Sequence, residues 1–445
     1  MQPIPARLFF CIAPIFRGVD IIPRPDRRPV VGPPASNEDI ALQPIACSAL
    51  VRLTLLAASS MLAAPRAVAQ EARLHGVVYA DANASGKRDA SEHGVSGVIV
   101  SNQRDAVVTD SLGRFEIPAG TTGIVFVSVP DGFRSSGAFW RATTAAPASV
   151  DFGLVRQAQS RTFSFVHASD SHTAPENVDR FRRFRRMTDS LGPAFVLMGG
   201  DLVRDAMSQS ESNARSYFDL YAAEAKSFRT PVWTIPGNHD HYGIIRSRSH
   251  ADPANPLYNR GMYRQYFGPD YYSFTYGGVH FIGLNTISPD DSAYYGDVDS
   301  LQMEWLKRDL GHVPAAMPIV TFNHIPMISS WTTLVGYDED PLVASLAKVN
   351  GKKQYRHTVG NVLDVLEAMR GHRYVLALGS HMHAPEHVSF VSDGVQLRSD
   401  VSAAIVGGQE LAAVIIPSGF TLYTVHDGKI DAGQFVRLDP PSGKP

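Results

Sequence analysis

Five apolar runs in this 445-residue chain each end in a short polar island. TFSFVHA (162–168) leads to Asp170-Ser171-His172, and PAFVLMG (193–199) to Gly200-Asp201. PVWTIP (231–236) leads to Gly237-Asn238-His239-Asp240, MPIVTF (317–322) to Asn323-His324, and YVLALGS (374–380) to His381-Met382-His383. Apolar runs of this length bounded by turn residues read as buried strands. From about residue 160 such runs alternate with helical patterns, as strands joined by helical crossovers require. Side chains at the carboxyl ends of neighbouring parallel strands converge on one crevice. The fold therefore gathers these dispersed residues into one site.

The residue types in the islands are metal ligands. Asp170 and His172 alternate across one residue, as do His381 and His383, so each pair points the same way from an extended strand end. Asp201 lies 31 residues after Asp170, room for one helical crossover. Taken singly, each histidine reads as a satisfied structural residue; the joint pattern reads as a dimetal site. Imidazole and carboxylate ligands without thiolates suit Mn²⁺, Fe or Zn²⁺. Two such ions about 3.5–4 Å apart can clamp the attacking and leaving oxygens of a phosphoester. The helix expected after His172 has an apolar stripe of Val178, Phe181, Phe184, Met187 and Leu191. Its five arginines between 180 and 186 read as a solvated face with snorkelling stems.

D-x-H, G-D, G-N-H-D, N-H and H-x-H, in that order, resemble the calcineurin-like metallophosphoesterase family over residues 163–390. YRQYFGPDYYSFTYGGVHFIGLNT and LQMEWLKRDL look like a secreted bacterial subgroup with a small β domain in front and a β-rich tail. The resemblance implies an α+β fold, a four-layer α-β-β-α core of two mixed sheets flanked by helices, preceded by a small all-β sandwich. It implies that Asp170, His172 and His383 hold one metal, Asn238, His324 and His381 the other, and that Asp201 bridges them. It also implies hydrolysis of a small phosphorylated substrate, a monoester or a diester, by in-line attack of a metal-bridging hydroxide. His239 would face the phosphoryl group and protonate the leaving oxygen, with Asp205 or Asp240 orienting it. Ser380 stands where the family's last motif has Gly, which predicts a small shift in turn geometry with both histidines kept.

Weaker candidates surround this set. His241 and Tyr242 extend the Asn238 loop toward the pocket, and Arg260, Arg264, Tyr294 and Tyr295 lie in a long insert that reaches for substrate. His357 and His387 are as readily surface residues. No aromatic series with basic partners appears, so a nucleic-acid groove is unsupported. A non-catalytic binding or cell-envelope module on the same fold is the competing reading; metal content separates the two.

The front of the chain has a different character. Residues 1–69 carry seven arginines against four acidic residues, a net of +3, which leaves −5 of the overall −2 for residues 70–445. Arg52, the run LTLLAASSMLAA and the small-residue ending Ala67-Val68-Ala69 read as a secretory leader cleaved after Ala69, hence a periplasmic or secreted protein with no stable membrane span afterwards. The only cysteines, Cys11 and Cys47, precede that point, so a mature chain would use neither disulfides nor thiolates.

Residues 70–158 read as short strands in a β-sandwich module. Within it, Asp81, Asn83, Ser85, Lys87, Asp89 and Glu92 take positions 1, 3, 5, 7, 9 and 12 of a twelve-residue loop with Gly86 at position 6, the spacing that wraps Ca²⁺. The catalytic domain is expected over 159–395 and a β-rich extension of it over 396–445. The oligomeric state is left open.

Overall fold

The computed structural model describes residues 72–143, 149–290, 293–331, 346–349, 351–392, 395–411 and 414–439. The segment expected to be a leader and both cysteines lie outside these residues. None of the helices among them is long and apolar enough to cross a membrane.

The chain builds mixed sheets with few helices, an α+β fold. One sheet places Val232–Thr234, Val196–Met198, Thr162–Ala168, Gly419–His426 and Lys429–Ile430 side by side. Its first three strands are parallel, and Gly419–His426 joins Thr162–Ala168 antiparallel. A second sheet runs Tyr272–Tyr276, Val279–Leu284, Pro318–Asn323, Arg373–Gly379, Val395–Val401 and Glu386–Ser392. Its four central strands are parallel. Parallel strands need crossovers, and the helices Val178–Leu191 and Glu211–Ala225 supply two of them.

Strand Thr162–Ala168 is apolar on both faces, and the two faces join different cores. Phe163 and Phe165 enter a cluster with Phe195, Phe281 and Phe322, while Val166 and Ala168 enter another with Phe181, Phe184 and Phe218. That is why the run reads as nearly continuous hydrophobicity rather than alternation. On helix Val178–Leu191 the buried residues are Val178, Phe181, Phe184 and Thr188. Three of its five arginines meet acids: Arg180 pairs with Asp439, Arg182 with Glu224, and Arg185 with Asp189.

Residues 73–156 form two four-stranded sheets. They meet the rest of the fold through Phe126 against Trp305 and through Gln103, whose Nε2 donates to Asp270 Oδ1 at 3.1 Å. The Asp81–Glu92 loop closes on itself. Asp81 accepts from Ser85 N at 3.0 Å and Gly86 N at 2.7 Å, and Glu92 accepts from Ala82 N and Asp89 N, each at 2.9 Å. Gly86 has φ of 71°, a left-handed turn suited to glycine.

Candidate active site

Every ligand loop leaves the carboxyl end of a parallel strand. The first sheet supplies Asp170, His172, Asp201 and Asn238, and the second supplies His324, His381 and His383. Five of the seven have left-handed backbone: φ is 53° at Asp170, 40° at His172, 50° at Asp201, 69° at His381 and 56° at His383. Asp and His tolerate this region better than most residues, yet each such position costs about 1–3 kcal/mol unless its surroundings enforce it. The enforcement is visible. Asp170 N donates to Gly200 O at 3.0 Å and His172 N to Asp201 O at 3.0 Å, so the two loops hold each other.

The side chains form two groupings able to hold an ion. Asp170, His172, Asp201 and His383 make one; Asp201, His324 and His381 make the other. Asp201 belongs to both. Its Oδ2 lies 3.6 Å from His172 Nε2 and 3.3 Å from His324 Nε2. Asn238 Oδ1 lies 3.0 Å from His324 Nε2 and so borders the second grouping. Imidazole nitrogens face one another across the cluster, His172 Nε2 to His383 Nε2 at 3.3 Å and His381 Nδ1 to His324 Nε2 at 3.2 Å. Asp170 Oδ1 is buried without a hydrogen-bond donor, although His383 Nε2 is 3.1 Å away. Converging lone pairs and an orphaned buried carboxylate oxygen are what cations would satisfy. The residues fit two ions.

The site's protonation follows from its crowding. Burial pushes the Asp170 carboxyl up, but His383 beside it wins and holds it down at about 2. For Asp201 burial is likewise overcome, by His324, His239 and His172, and its pKa falls well below the usual range. Burial would discharge His324, yet the Asp201 carboxylate outweighs it and lifts the imidazolium to about 9. In the metal-free fold that ion pair is complete below the ordinary 6.5 and is lost as pH rises through about 9.

Metal binding has the opposite sign. An ion needs the bare nitrogen, so binding at this grouping must expel a proton below that pKa. Its apparent affinity should fall by up to about tenfold per pH unit as pH drops from about 9 to about 7. Chelator-competition titrations with Zn²⁺ across that range test this; a flat affinity contradicts it.

His239 belongs to neither grouping. Its N–H donates to Asp201 Oδ1 at 2.8 Å, its ring stands edge-on to His172 with centroids 4.6 Å apart, and its side chain is 29% exposed. The expected orienting partners sit otherwise. Asp205 Oδ1 is 3.9 Å from His239 Nδ1, an ion-pair distance too long for a hydrogen bond, and Asp205 accepts from Ser208 and Gln209 instead. Asp240 is buried and accepts from the backbone of Gly237, Leu202 and Val203, tying the Asn238 loop to the Asp201 loop.

Several weaker candidates move. Arg260 and Arg264 flank the buried Asp270, and Arg260 also pairs with Asp299. Tyr242 is buried in the helix-side core. His241 lies beneath the site: its Nδ1 is 2.8 Å from Gly237 O and its Nε2 accepts from Asn285, which also donates to Asp270. Tyr294 stands edge-on to His381 with centroids 5.8 Å apart. His387 pairs with Asp400 at 2.9 Å, while His357 Nδ1 lies 2.9 Å from His381 Nε2. A cavity of about 740 Å³, lined by Trp140, Trp233 and Tyr272 among others, shares no residue with the metal groupings.

Asn285 escaped the sequence pattern although its signal was present. It ends the apolar strand Val279–Leu284 as the ligands end theirs. His167 was also missed. It is fully buried, with neither ring nitrogen hydrogen-bonded, and burial holds its pKa at about 4.

Ser380 is accommodated at a specific place. Its buried Oγ has no partner and would lie 2.1 Å from a Cβ on Gly199. Gly199→Ala should therefore cost about 1–3 kcal/mol, the usual overpacking penalty. Ser380→Gly in the same chain should recover much of it, a coupling of about 1 kcal/mol or more. Denaturation of the four-member cycle measures this; additive losses would show that the Oγ is not the obstacle.

The model of the calcineurin-like phosphoesterase family matches residues 163–385, the span that holds every ligand above. No curated protein matches the chain. Among solved structures, GAP50, described as the anchor in the inner membrane complex of Plasmodium, is similar at 12% identity, over 64% of this chain and 86% of that one, with a TM-score of 0.38. Another reaches 10% identity over 62% of this chain and 100% of its own, with a TM-score of 0.37. With half the chain matched by the family model and two groupings able to hold an ion assembled in space, this protein belongs to the calcineurin-like phosphoesterase family.

Proposed function

We propose that this protein hydrolyses phosphoester bonds of a small substrate, monoester or diester, at a dimetal centre. The observation that carries the proposal is the sharing of Asp201 between the two groupings. Asp170, His172 and His383 would hold one ion, Asn238, His324 and His381 the other, and Asp201 both. Two bound divalent ions supply a water nucleophile of lowered pKa and neutralise charge building on the phosphoryl oxygens. The chain's own residues do the rest. Asp201 draws the halves together, and its Oδ1 fixes the His239 backbone. His239 is partly exposed beside the centre, where its imidazole can meet a leaving oxygen.

Further readings rest on the sequence. We take the layers as helix, sheet, sheet, helix, supported by the two cores on either face of Thr162–Ala168, and residues 73–156 as a β-sandwich. We take the protein as exported by its leader, and Ca²⁺ as the occupant of the Asp81–Glu92 loop.

The test is a metal-supplemented screen of phosphomonoesters, phosphodiesters and pyrophosphates, with metal analysis of the same sample. Two transition-metal ions per chain and hydrolysis of one class are expected. Two ions without hydrolysis would defeat the enzyme; no ions would favour the binding module.

A further inference from the structure

A histidine that ligates a metal through one ring nitrogen holds the other in a hydrogen bond, which fixes tautomer and ring angle. Two histidines of this site turn to main-chain carbonyls: His324 Nδ1 to Gly199 O at 2.8 Å, and His172 Nδ1 to Arg204 O at 3.4 Å. His381 is different. Its Nδ1 faces the site, and its Nε2 lies 2.9 Å from Nδ1 of another histidine, His357. The two rings are inclined by only 28°, with centroids 5.0 Å apart.

The donor and acceptor roles follow. If Nδ1 of His381 is the ligand atom, its proton sits on Nε2. The partner must then accept, so His357 offers a bare Nδ1 and keeps its own proton on Nε2. The chain holds His357 in place to do this. It follows the hairpin of Leu346–Val349 and Lys352–Tyr355. Just beyond it, Val359 N donates to Pro326 O at 3.0 Å and Gly360 N to Gly296 O at 2.8 Å. Pro326 is two residues from His324, and Gly296 is two from Tyr294. A Cβ on Gly296 would lie 2.3 Å from Thr358 O, so the chain after His357 sits tightly against the strand Tyr294–Gly296.

We propose that His357 is a positioning residue of the metal centre: it accepts the Nε2–H of His381 and so fixes the tautomer that presents Nδ1 to the second ion. This rests on the dimetal assignment above. His324 and His172 are oriented by backbone carbonyls, whereas His381 depends on a side chain from the segment that follows a separate hairpin.

The test uses the whole protein and Zn²⁺ in competition with a chromophoric chelator. Wild type should bind two ions. His357→Phe keeps a ring but removes the acceptor, so it should hold one ion unchanged and the other about 10–100-fold more weakly. His357→Asn puts an amide oxygen near the lost Nδ1 and should recover most of that affinity. Nitrogen-15 NMR of the zinc-loaded wild type gives a readout that needs no variant: His381 should carry its proton on Nε2. Unchanged affinities in His357→Phe, equal losses in the Phe and Asn variants, or a proton on His381 Nδ1 would each overturn the proposal. A wild type that binds fewer than two ions would overturn the dimetal assignment and this inference with it. Two ions in wild type with no effect in His357→Phe would overturn the inference alone.

Discussion

Asp201→Asn is expected to lower turnover by at least about a thousandfold, roughly 4 kcal/mol of barrier, and to strip metal from both groupings. The isosteric amide cannot satisfy its two neighbours at once. Oδ1 accepts the His239 N–H at 2.8 Å, so the amide oxygen must stay there, since an NH₂ in that place would face another donor. The NH₂ then occupies the Oδ2 position, 3.3 Å from His324 Nε2 and 3.6 Å from His172 Nε2. It brings no lone pair to either ion and removes the negative charge between them. The backbone bond to His239 survives, so the fold should be kept. Metal analysis, a thermal melt and the rate on the best substrate of the screen are the measurements. Two retained ions with a near-normal rate would show that Asp201 does not bridge.

The residues that meet in the candidate site could be read from the sequence because each stands at a strand end, and strand ends are marked by the change from apolar to polar residues. Asp170, Asp201 and His324 all carry that mark. What lies behind them does not. The five left-handed backbones follow from loops bonding to one another, as Asp170 does to Gly200, and no local pattern records such pairings. Arg260 and Arg264 read as substrate contacts because a basic residue in an insert has no visible partner in one dimension. Asp270 is close to them in sequence, yet what commits it is burial, together with Asn285 and Gln103 arriving from elsewhere. His357 shows the same limit. Nothing in KKQYRHTVG separates a surface histidine from one whose ring nitrogen meets that of His381; the hairpin and the Gly296 contact decide it. Asp205 illustrates the converse. Its spacing from Asp201 put it near His239, and it is near, but Ser208 and Gln209 take its hydrogen bonds.

His239→Ala should keep both ions and still lose about 10²–10⁴-fold in rate on a substrate with a poor leaving group, such as an alkyl alcohol. The separation of the two effects follows from where each part of His239 sits. Its backbone N–H, not its ring, anchors Asp201, and alanine retains that bond. The ring lies outside both groupings, edge-on to His172, and is partly exposed. Its Nδ1 is buried and without a hydrogen bond, and the nearest carboxylate oxygen, Asp205 Oδ1, is 3.9 Å away. At that separation Asp205 makes no hydrogen bond to the imidazole. An activated aryl leaving group departs without a proton, so the loss should shrink there if the imidazole is the acid. Metal analysis beside paired rates on alkyl and aryl substrates distinguishes the outcomes. Loss of an ion would make His239 a ligand. An equal fall for both leaving groups would make its contribution one of charge and binding, since a proton donor must matter most where the leaving oxygen is most basic.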